Sequence, residues 1–274
     1  MPVFRANRAR AEKCITGGGH ARYDHARIIG PDSRTEREPC RVVGAAMNGD
    51  GHFSSSSVPQ ELVETFTQYV FSDDGGHAAL LLEQLFADGL TPESIMLDLM
   101  APAARRMGAL WVDDRLNFVE VTLGLARLQH LLRQFRMPPL SLTGLRGRAL
   151  LAPTPGEQHS FGLRLVEEFL LRDGWQVTAR LAATEPEILR LVAAEPYDIV
   201  GFSLAGERLL PALRQVIGAV RAASRNPDIR IMAGGVLFAA GPLTAADAGA
   251  DAVAADAAAA VQQANRWLAL AGVA

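Results

Sequence analysis

Lysine is almost missing from this 274-residue chain: Lys13 is the only one among 27 basic side chains. The bias toward arginine carries no mechanism by itself. Cysteine is scarce as well. Cys14 and Cys40 both fall in a polar N-terminal stretch, and two cysteines so placed cannot staple a fold of this length, so both are expected to be thiols. No apolar run reaches the roughly 20 residues that span a bilayer. No charged-then-apolar leader opens the chain, and the expectation is a cytoplasmic protein without a membrane partner. Strong charge of either sign is also lacking. The formal net charge is −3 and the pI about 6.1, which leaves no global basic field to hold a nucleic-acid backbone. What the chain does have is apolar surface. Hydrophobic residues make up 49% and charged residues 21%, enough to bury a full core in one or two domains. A wholly disordered or disulfide-scaffold protein is excluded.

Residues 1–57 are unlike the rest. They hold Gly17-Gly18-Gly19, Gly49-Asp50-Gly51 and Ser54-Ser55-Ser56-Ser57, with nine basic and six acidic side chains and no sustained apolar rhythm. So little apolar surface cannot offset ordering entropy, and a mobile tail is expected. From Val58 the pattern turns helical. Leu62, Val63, Phe66, Tyr69 and Val70 recur at three and four; His77–Asp88 repeats the pattern. Thr91-Pro92-Glu93 is a helix start, with Thr as cap and Pro at the first position. That third helix should run to about Trp111, kinked by Pro102. Phe118, Val121, Leu125, Leu128, Leu132 and Phe135 mark a fourth. Short connections predict an antiparallel four-helix bundle over 58–137.

After a linker at 138–147 the rhythm changes. Short apolar runs at 148–153, 175–181, 198–203, 229–233 and 250–254 alternate with amphipathic helices. This predicts a doubly wound five-stranded parallel sheet over 148–274. Ligands of such sheets sit outside the carboxyl ends of the strands, which directs attention to three loops. The first strand runs into Gly156-Glu157-Gln158-His159-Ser160-Phe161-Gly162. His159 has a carboxylate two residues before it, an arrangement that fixes a histidine's tautomer for metal ligation; a solvated surface histidine would look the same. The third strand ends in Ser203-Leu204-Ala205, where the serine is either a binding hydroxyl or simply a strand end. The fourth ends in Gly234-Gly235, which serves either a turn or the close approach of a ligand.

With 40 residues between Gly162 and Ser203 and 28 between Ala205 and Gly234, these loops resemble the cobalamin-binding signature Asp-x-His-x-x-Gly, Ser-x-Leu, Gly-Gly. The resemblance implies a flavodoxin-like, Rossmann-like B12-binding domain behind a helical cap. It implies cobalamin, as adenosylcobalamin or hydroxocobalamin, bound base-off with His159 as the lower cobalt ligand. Glu157 is then the partner of His159, and the loop 157–162 (Gln158, Ser160, Phe161 and Gly162 included) lies under the corrin. Ser203 donates to the buried base beside Leu204 and Ala205, and Gly234 and Gly235 leave room for the nucleotide tail. Met100 to Trp111 with Phe118 to Thr122 resembles the cap, which places Trp111 and Val121 toward the upper face; Trp111 as a helix-end core residue is the alternative. Glu157 stands where Asp is common, Ala205 where Leu is usual. Val121-Thr122 stands where light-sensing cobalamin repressors carry Glu-His.

The string around Arg127-Leu128-Gln129, and Gly156 to His159, further resembles the AerR/PpaA family, the light- and oxygen-linked antirepressors of purple photosynthetic bacteria. That resemblance implies a regulator rather than an enzyme, with a DNA-binding repressor of photosynthesis genes as protein partner. A corrinoid carrier of a methyltransferase system is the alternative, and a binding-dead scaffold a third. Arg208, Arg214, Arg221, Arg225 and Arg230 on or beside one helix could form a phosphate-binding face. Against this, residues 61–98 carry eight acids and no lysine or arginine, so the arginines are read as a solvated face and direct DNA contact is not expected.

Overall fold

The computed structural model describes residues 58–71, 76–134, 146–239, 241 and 243–271. The tail 1–57 with both cysteines, the break at 73–75, the bundle's last residues and most of the 138–147 linker lie outside the described residues. The chain forms two compact units, divided between Leu128 and Gln129. No helix among the described residues is long and apolar enough to cross a membrane.

The first unit is helical. Helix α1 (Gln60–Phe71) buries Leu62, Val63, Phe66 and Val70, and α2 (Gly76–Ala87) buries Ala78, Leu81, Leu82 and Leu85. Thr91 caps the next helix as its sequence predicts: its Oγ1 accepts from Ser94 N–H at 3.1 Å, and Pro92 occupies the first turn. One turn, α3 (Pro92–Ser94), leads into a π-helical stretch, Ile95–Met100, and then α4 (Ala101–Val112). The wide turn explains how Pro102 is tolerated. Proline lacks a donor and its ring crowds the preceding turn; that turn is wide here, with Ala101 N–H donating to Met96 C=O five residues back.

Asn117 starts α5 (Phe118–Gln134) by accepting from Val119 and Glu120 N–H. Gly124 lets α5 approach its neighbours, since a Cβ there would stand 2.9 Å from Met107 Sδ and Phe71 Cε1. Arg127 donates to the carbonyls of Val70 and Phe71 at 3.2 and 2.8 Å, a cation on the C-terminal end of α1.

The second unit is a five-stranded, all-parallel sheet of order β2-β1-β3-β4-β5. Its strands are β1 (Arg148–Pro153), β2 (Gln176–Ala179), β3 (Ile199–Ser203), β4 (Arg230–Gly234) and β5 (Ala252–Ala254). This is the flavodoxin-like order, whose switch point lies between β1 and β3. The connecting helices are α6 (Phe161–Arg172), α7 (Glu185–Ala194), α8 (Leu210–Ala223), α9 (Val236–Ala239), α10 (Ala245–Ala248) and α11 (Ala257–Ala271). Alternation along the strands builds two cores. Leu150, Val200, Phe202 and Ile231 pack with Val192, Leu213 and Ile217. Ala149, Leu151 and Ile199 face Leu163, Leu170 and Ala264.

Arg208, Arg214, Arg221, Arg225 and Arg230 are all exposed, and three of them also bond to neighbouring segments. Arg221 donates to Gly249 C=O at 3.3 Å and pairs with Asp251 at 3.0 Å. Arg225 reaches Ala194 C=O at 3.1 Å, and Arg214 bonds Asp247 C=O. These guanidinium groups tie α8 and the loop after it to their neighbours.

Candidate cofactor site

The carboxyl ends of β1, β3, β4 and β5 stand in one row, because the pairing aligns Pro153 with Ser203, Ser203 with Gly234, and Gly234 with Ala254. Just beyond Pro153, the buried Thr154 ties the β1 and β3 ends together. Its N–H and its hydroxyl both donate to Ser203 C=O, at 3.0 and 2.7 Å. Sequence reasoning passed over Thr154; its place between Pro153 and Pro155 at a buried strand end was the available signal.

Glu157 and His159 follow on the same loop. The Glu157 side chain is 4% exposed and that of His159 is 70% exposed. Oε1 of Glu157 accepts from the N–H of Gln158 at 2.8 Å and of His159 at 3.0 Å, and lies 2.6 Å from His159 Nδ1. A carboxylate can only accept, so in the neutral imidazole the proton sits on Nδ1 and Nε2 keeps its lone pair. Oε2 accepts from Ala205 N–H at 2.8 Å, across the sheet edge. Burial alone would raise the Glu157 pKa. The N–H groups of His159 and Ala205, with the imidazole, outweigh it and hold the carboxyl below its ordinary value.

Ser203 offers the second half of the site. Its Oγ is buried and has no hydrogen-bond partner. A buried hydroxyl left unpaired is costly, so this atom marks a place where an external acceptor would be favourable. The two glycines separate into different roles. Gly235 has φ +107°, and a Cβ there would stand 2.3 Å from Leu204 C=O, so the fold requires it. At Gly234 a Cβ would make ordinary contacts with Ala254 C=O at 3.4 Å and Phe202 C=O at 4.0 Å, which the fold tolerates. At Gly162 a Cβ would meet nothing within 4 Å, so the fold does not require glycine there.

The remaining expected contacts are more varied. Gln158 is exposed and Ser160 half-buried, while Phe161 is buried. Leu204 is fully buried in the core with Phe202 and Phe238, so only its backbone faces the site; Ala205 contributes its N–H. In the helical unit Trp111 is 46% exposed, against the reading as a core residue, and Val121 is half-buried.

Among the described residues, no group of three or more His, Cys, Asp or Glu could hold a metal ion. A single presented imidazole instead suits a metal that brings its other ligands with it. The orphan Ser203 hydroxyl and the small residue at 234, its register partner, fit a large group entering beside it. Residues 147–264 match the B12 binding domain family. The chain is 27% identical over 177 residues to an uncharacterized 20.5 kDa protein in the bchF-crtJ intergenic region of Rhodobacter capsulatus, covering 64% of this chain and 92% of that one. It shares the fold of a monomethylamine corrinoid protein of Methanosarcina barkeri, with 15% identity, TM-score 0.61, and coverage of 76% of this chain and 98% of the other. Over residues 147–264, its α/β unit is thus similar to the B12 binding domain family.

Proposed function

We propose that this protein is a cobalamin-binding regulator, an antirepressor that acts through a DNA-bound repressor of photosynthesis genes. The observation that carries the reading is the exposed His159 ring, held at 2.6 Å by the buried Glu157 carboxylate, on the same sheet edge as the partnerless Ser203 hydroxyl. A carboxylate behind a histidine orients the ring and raises its basicity, and imidazole is a good ligand for such a transition metal. His159 would therefore take the lower face of cobalt. Ser203 would donate to the displaced base, and Gly162 and Gly234 would leave its path open. Adenosylcobalamin and hydroxocobalamin both meet these requirements. Bound cobalamin would supply a cobalt centre whose upper bond responds to light or to ligand exchange.

The regulatory half is supported by the AerR/PpaA-like strings around Arg127 and His159, and by the Rhodobacter relative named for the bchF-crtJ intergenic region. A signal of this kind requires that the repressor bind the two cofactor states with different affinity. The test loads the full chain with adenosylcobalamin in the dark, records its visible spectrum, illuminates it, and titrates the purified repressor against both forms. The reading expects a base-off spectrum and a light-dependent change in repressor affinity of about fivefold or more. Equal affinity in both forms overturns the regulatory half. Methyl transfer to a partner enzyme by the corrinoid-loaded chain would then establish the carrier reading in its place.

A further inference from the structure

We propose that a small cavity beside the His159 loop is a pocket for one lower-face propionamide arm of the corrin, and that Glu185 makes it select the amide over a carboxylate. The proposal rests on the cofactor reading above and deepens it. The cavity has a volume of about 290 Å³ and lies between the loop after β1 and the loop after β2. Pro153, Pro155 and Glu157 line it from the first loop, and Ala183, Thr184 and Glu185 from the second. In the strand order β2-β1-β3 this is the opposite side of β1 from Ser203. The His159 loop therefore stands between two separate openings. The displaced base takes the Ser203 side, so the cavity is left for another part of the same ligand.

Size and chemistry both point to a short amide arm. The volume falls at the bottom of the range for pockets that take a whole small ligand, about 300–1,000 Å³, and a corrin is far larger. Besides the arm that bears the nucleotide, cobalamin carries three propionamides on its lower face, each two methylenes ending in a primary amide. The proline rings and Ala183 suit the methylenes. The carboxylates suit the amide NH₂, since an ionised carboxylate only accepts hydrogen bonds. Glu157 is 4% exposed and its carboxyl is held below its ordinary pKa. Glu185 is half-buried and accepts from Gln215 Nε2 at 3.1 Å. It also opens α7, where the first backbone N–H groups have no acceptor within the helix, so the amide C=O finds a donor there. Among the described residues, no basic side chain lines the cavity. A carboxylate arm would bring further negative charge to a partly desolvated site with no cation to meet it.

The test titrates the full chain at neutral pH, by visible absorbance, with hydroxocobalamin and with its three monocarboxylic acids, in each of which one lower-face propionamide is hydrolysed. One acid should bind about tenfold or more weakly than hydroxocobalamin, and the other two within about threefold. In Glu185→Gln the weakened acid should recover to within about threefold of hydroxocobalamin, because the amide removes the charge and keeps an acceptor oxygen. Hydroxocobalamin itself should bind this variant much as it binds wild type, which shows that the site is intact. Equal binding of all three acids by wild type overturns the proposal. So does a penalty that persists unchanged in Glu185→Gln. A wild-type chain that does not bind hydroxocobalamin gives a different result: it overturns the cofactor reading, and the pocket assignment falls with it.

Discussion

Replacing Ser203 with alanine should have opposite effects on the free and the loaded protein. The Ser203 hydroxyl is buried without a partner, and an unsatisfied polar group of this kind costs about 1–3 kcal/mol. Ser203→Ala removes that group and keeps the Cβ, so the cofactor-free protein should gain about 1 kcal/mol or more. For a unit of this size the gain corresponds to a rise of roughly 2–6 °C in Tm. In the loaded protein the same change deletes a hydrogen bond to the base. A net contribution of about 0.5–1.5 kcal/mol predicts a two- to tenfold weaker Kd, by roughly 1.4 kcal/mol per decade. Thermal melting without cofactor and a hydroxocobalamin titration followed by visible absorbance measure the two effects. A variant that melts lower than wild type and binds cobalamin equally well would refute the assignment, since the hydroxyl would then serve the fold.

Three other substitutions probe the same edge and its surroundings. Gly235→Ala forces a side chain into φ +107° with its Cβ 2.3 Å from Leu204 C=O, and should lower stability by about 2 kcal/mol or more in urea unfolding. Gly234→Ala meets only ordinary contacts at 3.4 and 4.0 Å; stability should stay within about 0.5 kcal/mol, while cobalamin binding weakens more than that of cobinamide, which lacks the nucleotide tail. Thr184 donates its N–H and hydroxyl to Glu187 at the start of α7, and these bonds hold the Glu187 carboxyl below its ordinary value. That stability is present above the unfolded pKa and is lost as pH falls through the folded one. Thr184→Ala removes the hydroxyl's share of that stability, so its urea midpoint should fall below that of wild type at neutral pH and the gap should narrow in acid.

The strand–helix alternation made the parallel sheet legible, because buried strands such as Ala149–Ala152 read as apolar runs bounded by turn residues. The edge strand β2 is shorter than its apolar run, 4 residues at Gln176–Ala179, since a pattern marks burial and not pairing. The π turn before Pro102 left no mark in periodicity. At the site, His159, Glu157, Ser203 and Gly234 were visible as residue types at loop positions. The reach of Glu157 to Ala205 was not, because it depends on the β1–β3 register that brings two distant loops together. Glutamate stands where aspartate is common, and in the structure its side chain reaches both the His159 ring and Ala205 N–H. The fates of Gly234 and Gly235 were equally hidden, as only coordinates show which one the Leu204 carbonyl crowds.

Electron paramagnetic resonance of the cob(II)alamin-loaded protein tests the central assignment most directly. With the protein's histidines labelled with ¹⁵N and the cofactor left unlabelled, an imidazole beneath cobalt splits each cobalt line into a doublet, and His159→Ala abolishes it. A triplet, the signature of the cofactor's own ¹⁴N base still on the metal, or a doublet that survives His159→Ala, would contradict the account.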